Sequence, residues 1–248
     1  MNRFSKLKNY YNWGGRFLND AYHLESKKLN ELEMAKRPFR YDVINFLLST
    51  LDRENTYLEI GVRNPADNFN RIHAAKKYSV DPGLEFKENP VDFVLTSDQF
   101  FDQLRAGNVL SADTQFDVVF IDGLHTAEQV DRDIKNALEF IKEDGFIVLH
   151  DCNPPTESHA REEHKYEISP AGQNWNGTTW KGFLKWRQNA GVQSCTVDTD
   201  WGVGVISKSK KIGNHTTLVN EFYEFSVLNK ERKAFLNLIS FEELKNLL

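Results

Sequence analysis

Two short runs concentrate the reactive side chains of this 248-residue chain: Ile121-Asp122-Gly123-Leu124-His125 and Leu149-His150-Asp151-Cys152-Asn153-Pro154-Pro155. Each begins where a continuously apolar run stops, Val118-Val119-Phe120-Ile121 in one case and Phe146-Ile147-Val148-Leu149 in the other. Such runs read as central parallel strands covered on both faces. Neighbouring strands lie ~4.8 Å apart, so Asp122 and Asp151 can reach a common point, with His125, His150 and Asn153 around it. Two carboxylates beside an imidazole or an amide suit a hard divalent cation such as Mg²⁺ or Mn²⁺. A single Asp at a strand end is more often a turn former. Two such clusters on successive strands favour a site, because open α/β sheets bind ligands beyond the carboxyl ends of their strands.

Other expected strand ends carry weaker signals. Glu59-Ile60-Gly61 places a glycine directly after an apolar run, where the missing Cβ allows close approach to the backbone. Asp81 follows Gly61 by 20 residues, a spacing that suits a carboxylate gripping the two hydroxyls of a ribose. Ser97 and Asp98 could meet an adenine edge or simply cap the following helix. A pyrophosphate cradle needs G-x-G-x-x-G, but only Val62-Arg63-Asn64-Pro65 follows Gly61, which disfavours a nicotinamide or flavin dinucleotide. His159 to His164 lacks both zinc-peptidase spacings and reads as a solvated, charged loop beside the site.

The elements that must position these residues are legible as periodicities. Residues 1 to 50 read as a helical cap, with Val43, Ile44, Phe46, Leu47 and Leu48 as the apolar stripe of Tyr41 to Leu51. Seven runs read as strands: 56–60, 77–80, 92–96, 116–121, 145–149, 194–197 and 202–206. Val130, Ile134, Ala137, Leu138 and Ile141 mark a helix from Thr126 to Lys142 that Glu143-Asp144-Gly145 should end. Strand, helix and strand in this order predict a right-handed crossover in a doubly wound, Rossmann-like α/β sheet. The Asp198 to Trp201 connection predicts an antiparallel edge on an otherwise parallel sheet. Residues 216–248 read as a C-terminal helical extension burying Phe222, Phe225, Leu228, Leu236 and Ile239.

Composition narrows the classes. With 31 basic and 36 acidic residues the net charge is −5, which gives no general field for nucleic acid, and no membrane partner is expected because no apolar stretch approaches ~20 residues. Aromatic residues at 12% argue against disorder. Two cysteines, Cys152 and Cys195, in unrelated contexts suit free thiols in a reducing, cytoplasmic compartment. A homo-oligomer is left open.

Glu59-Ile60-Gly61, Asp81, Phe116 to His125 and Val148 to Pro154, taken together, resemble the ordered motifs of class I S-adenosylmethionine-dependent methyltransferases. More narrowly, they are similar to the bacterial subgroup that includes sugar and macrolide O-methyltransferases. The similarity covers about Glu59 to Ile206, including Trp175 to Lys181, and implies a cofactor-binding core over residues 51–215 between the two helical segments. It implies that Glu59 and Gly61 line the methionine end of S-adenosyl-L-methionine, that Asp81 holds the ribose, and that Ser97 and Asp98 approach the adenine, with Asp122 also near the cofactor. In metal-dependent relatives the residues matching Asp122 and Asp151 bind Mg²⁺ and the His matching His125 acts as base. Asp122, His150 and Asp151 are therefore the candidate ligands here for Mg²⁺ or Mn²⁺, with His125 and Asp122 the candidate catalytic pair and a metal-free mechanism the alternative. The family's glycine-rich first loop is reduced here to Gly61, and His150 stands where the macrolide-type enzymes have an acidic residue.

The expected activity is O-methylation of a sugar or glycosylated small molecule. Trp175, Trp180 and Trp201 are candidates for flat faces in the acceptor pocket, and residues 153–174 for a covering loop. The alternatives are a non-catalytic nucleoside- or sugar-binding module in the same crevice and, less favoured, an NAD-dependent sugar-modifying oxidoreductase.

Overall fold

The computed structural model describes residues 3–85, 88, 90–165 and 169–248. Seven strands form one sheet: β1 (Thr56–Ile60), β2 (Lys76–Val80), β3 (Phe116–Ile121), β4 (Ile141–Leu149), β5 (Gln193–Val197), β6 (Val203–Ser207) and β7 (Leu238–Ile239). Their order is β2-β1-β3-β4-β6-β5-β7. β2, β1, β3 and β4 pair in parallel, β6 runs antiparallel to both β4 and β5, and β7 pairs in parallel with β5. The sheet is thus doubly wound and mostly parallel, with the reversed strand on the β5–β7 side.

Successive residues of a strand point to opposite faces, and the core divides accordingly. On one face Leu58, Ile60, Val119, Ile121, Ile147 and Leu149 pack against α4 (Ser97–Arg105), α5 (Ala127–Phe140) and α6 (Thr179–Arg187). On the other face Tyr57, Val118, Phe120, Phe146 and Val148 pack against Val43, Ile44, Leu47 and Leu48 of α3 (Arg40–Ser49). Every residue of β3 is buried: the apolar run Val118 to Ile121 because both faces are covered, and Asp117 because Arg53, Lys142 and the Thr56 N–H satisfy it. α1 (Arg3–Leu18) and α2 (Ala21–Ala35) precede α3, so the first fifty residues are largely helical as expected. Cys152 and Cys195 are buried free thiols. Among the described residues, no helix is long and apolar enough to cross a membrane.

Three expectations need correction. The run 92–96 makes only one bridge, Phe93 to Val80; Asp92 instead turns its carboxylate onto Ser79, accepting from its N–H at 2.9 Å and its hydroxyl at 2.7 Å. The seventh strand is supplied by Leu238–Ile239. The second correction is that α5 stops at Phe140 and β4 starts at once, its first residue pairing with Phe116 before a register shift. Gly145 marks that irregularity and does not cap a helix, since a Cβ there would lie 2.7 Å from the Asp117 carbonyl oxygen. Finally, the C-terminal segment breaks into α7 (Phe225–Lys230), α8 (Arg232–Leu236), β7 and α9 (Phe241–Leu247). Leu228 and Leu236 are buried, but Phe222 is 75% exposed because no helix forms around it.

Candidate active site

The register of the parallel strands sets up the site. Ile60 pairs with Val80 and with Ile121, and Ile121 pairs with Leu149, so four strands end along one line. Gly61, Asp81, Asp122 and His150 are the residues that leave them, each next to its neighbour across the sheet. With ~4.8 Å per strand, Asp81 starts about 10 Å from Asp122. Gly61 has φ +90°, and a Cβ on it would lie 2.3 Å from the Asp122 carbonyl oxygen. Its role is therefore to let the β1 and β3 loops touch, a closer constraint than the approach of a ligand.

At the ends of β3 and β4 the expected groups converge. His125 lies between two carboxylates, with Nε2 3.3 Å from Asp122 Oδ1 and Nδ1 3.2 Å from Asp151 Oδ2. His150 Nδ1 is 3.4 Å from Asp122 Oδ1 and 3.1 Å from Asp151 Oδ2. Asp151 takes φ 60°, a left-handed conformation that Asp tolerates better than most residues and that accumulates at functional sites. Its Oδ1 accepts from Asn176 Nδ2 at 2.7 Å. Charge ties the cluster together. Burial alone would lower the His125 pKa, but Asp151 and Asp122 outweigh it and hold the imidazole at about 9. Burial likewise opposes ionisation of Asp122, yet His150, His125 and Arg40 keep it well below the usual carboxylate range.

Donor atoms of Asp122, His125 and Asp151 all lie within 4.8 Å of one another, so two carboxylates and an imidazole could hold one cation. This set contains His125 where the expected one named His150, whose Nδ1 nevertheless lies within 3.4 Å of the same two carboxylates. The second nitrogen of His150 is engaged elsewhere, 3.1 Å from Arg40 Nη1 and 3.5 Å from Asp200 Oδ1.

Arg40 and Asp200 were missed by sequence reasoning. Asp200 Oδ2 accepts from the Arg40 backbone N–H at 2.8 Å and faces its Nη1 at 3.3 Å. Burial opposes its ionisation, but His150 and Arg40 hold its pKa at about 2. Arg40 Nε is 3.9 Å from Asp122 Oδ2. One signal was available: Arg40 opens a helix, where the macrodipole disfavours a cation, so a tertiary carboxylate partner was to be sought. Asp200 sits in a hairpin connection and looks like an ordinary turn residue.

The other expected residues fall as follows. Glu59 is 3% exposed, and its Oε2 accepts from Tyr57 Oη at 2.6 Å and Asn68 Nδ2 at 2.8 Å. Burial pushes its pKa up to about 7 against those hydrogen bonds. Asp81 Oδ1 accepts from the Gly83 N–H at 2.7 Å. Ser97 and Asp98 open α4, but the cap is Thr96, whose hydroxyl accepts from the Gln99 N–H; both instead meet Gln129 Nε2, at 3.0 and 3.3 Å. Asn153 is turned away, donating to Asp198 and accepting from Arg232. Trp180 is core at 1% exposure, while Trp175 stacks on His125 with ring centroids 5.1 Å apart. Trp201 is held through its backbone N–H by Glu33.

The loop expected to be solvated is partly buried. His159 is fully buried, with Nδ1 2.8 Å from Thr156 Oγ1 and Nε2 3.1 Å from Asn30 Oδ1 of α2. Arg161 gathers the carbonyls of Ser158, Gly172 and Asn174. The loop 153–174, expected to cover the site, is tied to α2 by His159 and Asn174, both to Asn30, and by Ser158 to Tyr22; its residues 166–168 lie outside the described residues.

Residues 43–152 match the model of a family described as a methyltransferase domain, a span that contains every residue expected to bind cofactor or metal. No curated protein matches the sequence. Similar solved structures include the MycE methyltransferase from the mycinamycin biosynthetic pathway, in complex with Mg, SAH and mycinamycin VI, at 13% identity and TM-score 0.42 over 84% of this chain. The chain spans 59% of the length of MycE. The O-methyltransferase from Bacillus cereus in complex with SAH matches at 13% identity and TM-score 0.41, over 76% of this chain and 90% of that one. An SAH-bound methyltransferase of Podospora anserina matches at 11% identity and TM-score 0.43, over 82% and 96%.

Proposed function

Because residues 43–152 match a family described as a methyltransferase domain, we propose that the chain is a class I methyltransferase that moves a methyl group from S-adenosyl-L-methionine to a hydroxyl of a sugar or glycosylated small molecule. The observation that carries this reading is the convergence of Asp122, His125, His150 and Asp151 at the ends of β3 and β4, one strand from Glu59 and Gly61 and two from Asp81. On this reading Asp81 accepts from the ribose hydroxyls, Glu59 and Gly61 line the methionine end, and Ser97 and Asp98 approach the adenine.

Bound S-adenosylmethionine supplies an electrophilic methyl on a sulfonium. The protein's part is to align the acceptor oxygen with that carbon and to take its proton, because an alcohol is a poor nucleophile. His125 takes the proton in the molecules whose imidazole is neutral, so with its pKa at about 9 turnover should rise with pH toward that value. The carboxylates flanking its two nitrogens orient the ring and stabilise the imidazolium that forms. The donor set of Asp122, Asp151 and His125 would alternatively hold Mg²⁺ or Mn²⁺; an ion there would occupy His125 and would itself lower the pKa of the hydroxyl in place of a histidine base. The groups lining the cluster, Arg40, Asp122, His125, Asp151 and Asp200, are charged or hydrogen-bonding, which suits a polyhydroxylated acceptor better than an apolar ring.

Calorimetric titration with S-adenosylhomocysteine tests the cofactor half of the reading. The wild type is expected to bind, and Asp81→Ala to lose about tenfold or more in affinity; unchanged affinity removes Asp81 from the site.

A further inference from the structure

The two N-terminal helices are sparsely covered: α2 buries only Ser26 and Glu33, and α1 is the extreme case. None of its 16 residues is buried, yet Leu7, Tyr10, Tyr11, Trp13, Phe17 and Leu18 are 57%, 72%, 83%, 78%, 40% and 57% exposed. At 100° per residue these six fall within an arc of about 160°. Lys8 and Arg16 stand about 60° beyond its two edges, and Ser5, Asn9 and Asn12 fill the opposite face. Arg3 and Lys6 lie within the arc near the helix start, where long stems can lay along apolar surface and lift their charges out of it.

The helix carries four basic residues and no acidic one, whereas the whole chain has a net charge of −5. Clustered aromatics on one face, a basic border and modest overall apolarity are the features of a helix that lies in a lipid headgroup layer. The same charge opposes packing two copies of α1 against each other. We propose that α1 docks the protein on an anionic membrane surface, with Leu7, Tyr11 and Trp13 entering the interface and Lys8 and Arg16 meeting lipid phosphates. The expectation of no membrane partner rested on the lack of a spanning segment, and a surface helix needs none.

The docking would bear on the candidate site. α1 leads through Asn19 and Asp20 into α2, and α2 holds the loop over the strand ends through Asn30 to His159 and Tyr22 to Ser158.

The test is co-sedimentation of the full chain with phosphatidylcholine vesicles, with and without phosphatidylglycerol. Binding only to the phosphatidylglycerol vesicles, weakened by added salt, is expected. Leu7→Glu/Trp13→Glu and Lys8→Glu/Arg16→Glu should each reduce it about tenfold or more. Both variants should unfold at the wild-type temperature, since no buried residue changes. No binding to either vesicle, or binding that the variants leave intact, overturns the proposal. A dimer in light scattering that Leu7→Glu/Trp13→Glu converts to monomer would also overturn it, assigning the face to a second copy of the chain.

Discussion

His125 is held at both ring nitrogens by carboxylates, so its ring has one orientation and its positive form is stabilised in place. Replacing it by Ala removes the proposed proton acceptor but none of the groups assigned to the cofactor. His125→Ala is expected to bind S-adenosylhomocysteine as the wild type does while turnover falls ~10²- to 10⁴-fold; steady-state kinetics with undiminished turnover would end its role as base. Glu59 makes a prediction about pH. Its pKa is about 7 in the folded protein against 4.5 ordinarily, so the folded state holds this proton more tightly than the unfolded chain. Its contribution to stability is therefore full below about pH 4.5 and lost as pH rises through about 7. Between those limits the wild type should lose up to about 3 kcal/mol relative to Glu59→Gln. Urea denaturation of both proteins at a series of pH values measures this, and parallel curves would mean that the carboxyl group titrates alike in the folded and unfolded chain.

At the scale of elements, the site depends on loops touching where strands stop. Gly61 couples the β1 loop to the β3 loop, and Gly177 does the same for the approach to α6 and the His125 carbonyl, where a Cβ would lie at 2.2 Å. Gly61→Ala combines a φ of +90° with a backbone collision. It is expected to cost about 2 kcal/mol or more and to weaken S-adenosylhomocysteine binding, read by thermal unfolding and calorimetry; a neutral effect would mean that the two loops can separate. These strand ends were legible in the sequence because the buried apolar runs 118–121 and 146–149 stop sharply at Asp122 and His150, and β1 stops at Gly61. The 92–96 run was misread because its alternation serves a turn, with Asp92 bonded to Ser79, and propensity does not report that partner. β7 was missed because two residues carry no period. His159 was misread because its neighbours Arg161, Glu162 and Glu163 are charged, while its own burial comes from α2, about 130 residues earlier in the chain.

At the scale of the whole molecule the two ends of the sheet do different work. At the amino end Asp117 is fully buried and satisfied by Arg53 Nε at 2.5 Å, Lys142 Nζ at 2.8 Å and the Thr56 N–H at 2.8 Å. That carboxylate has its partners from β1, β4 and the α3–β1 turn, and it fastens strands together. At the carboxyl end three carboxylates, Asp122, Asp151 and Asp200, face Arg40 and two imidazoles in a largely buried cluster whose most exposed members, Arg40, His125 and Asp122, are the ones a ligand would reach. The sequence showed which strands would deliver Asp122 and Asp151, but Arg40 and Asp200 come from a helix start and a hairpin that only the tertiary fold brings together. The most direct test is transfer of a labelled methyl group from S-adenosylmethionine to a panel of sugars and glycosides, with Asp151→Asn measured beside the wild type. The wild type is expected to label at least one hydroxyl acceptor, and Asp151→Asn to do so about a hundredfold more slowly with unchanged affinity for S-adenosylhomocysteine. A variant that transfers methyl groups as fast as the wild type, or a wild type that binds no S-adenosylhomocysteine, would contradict the account.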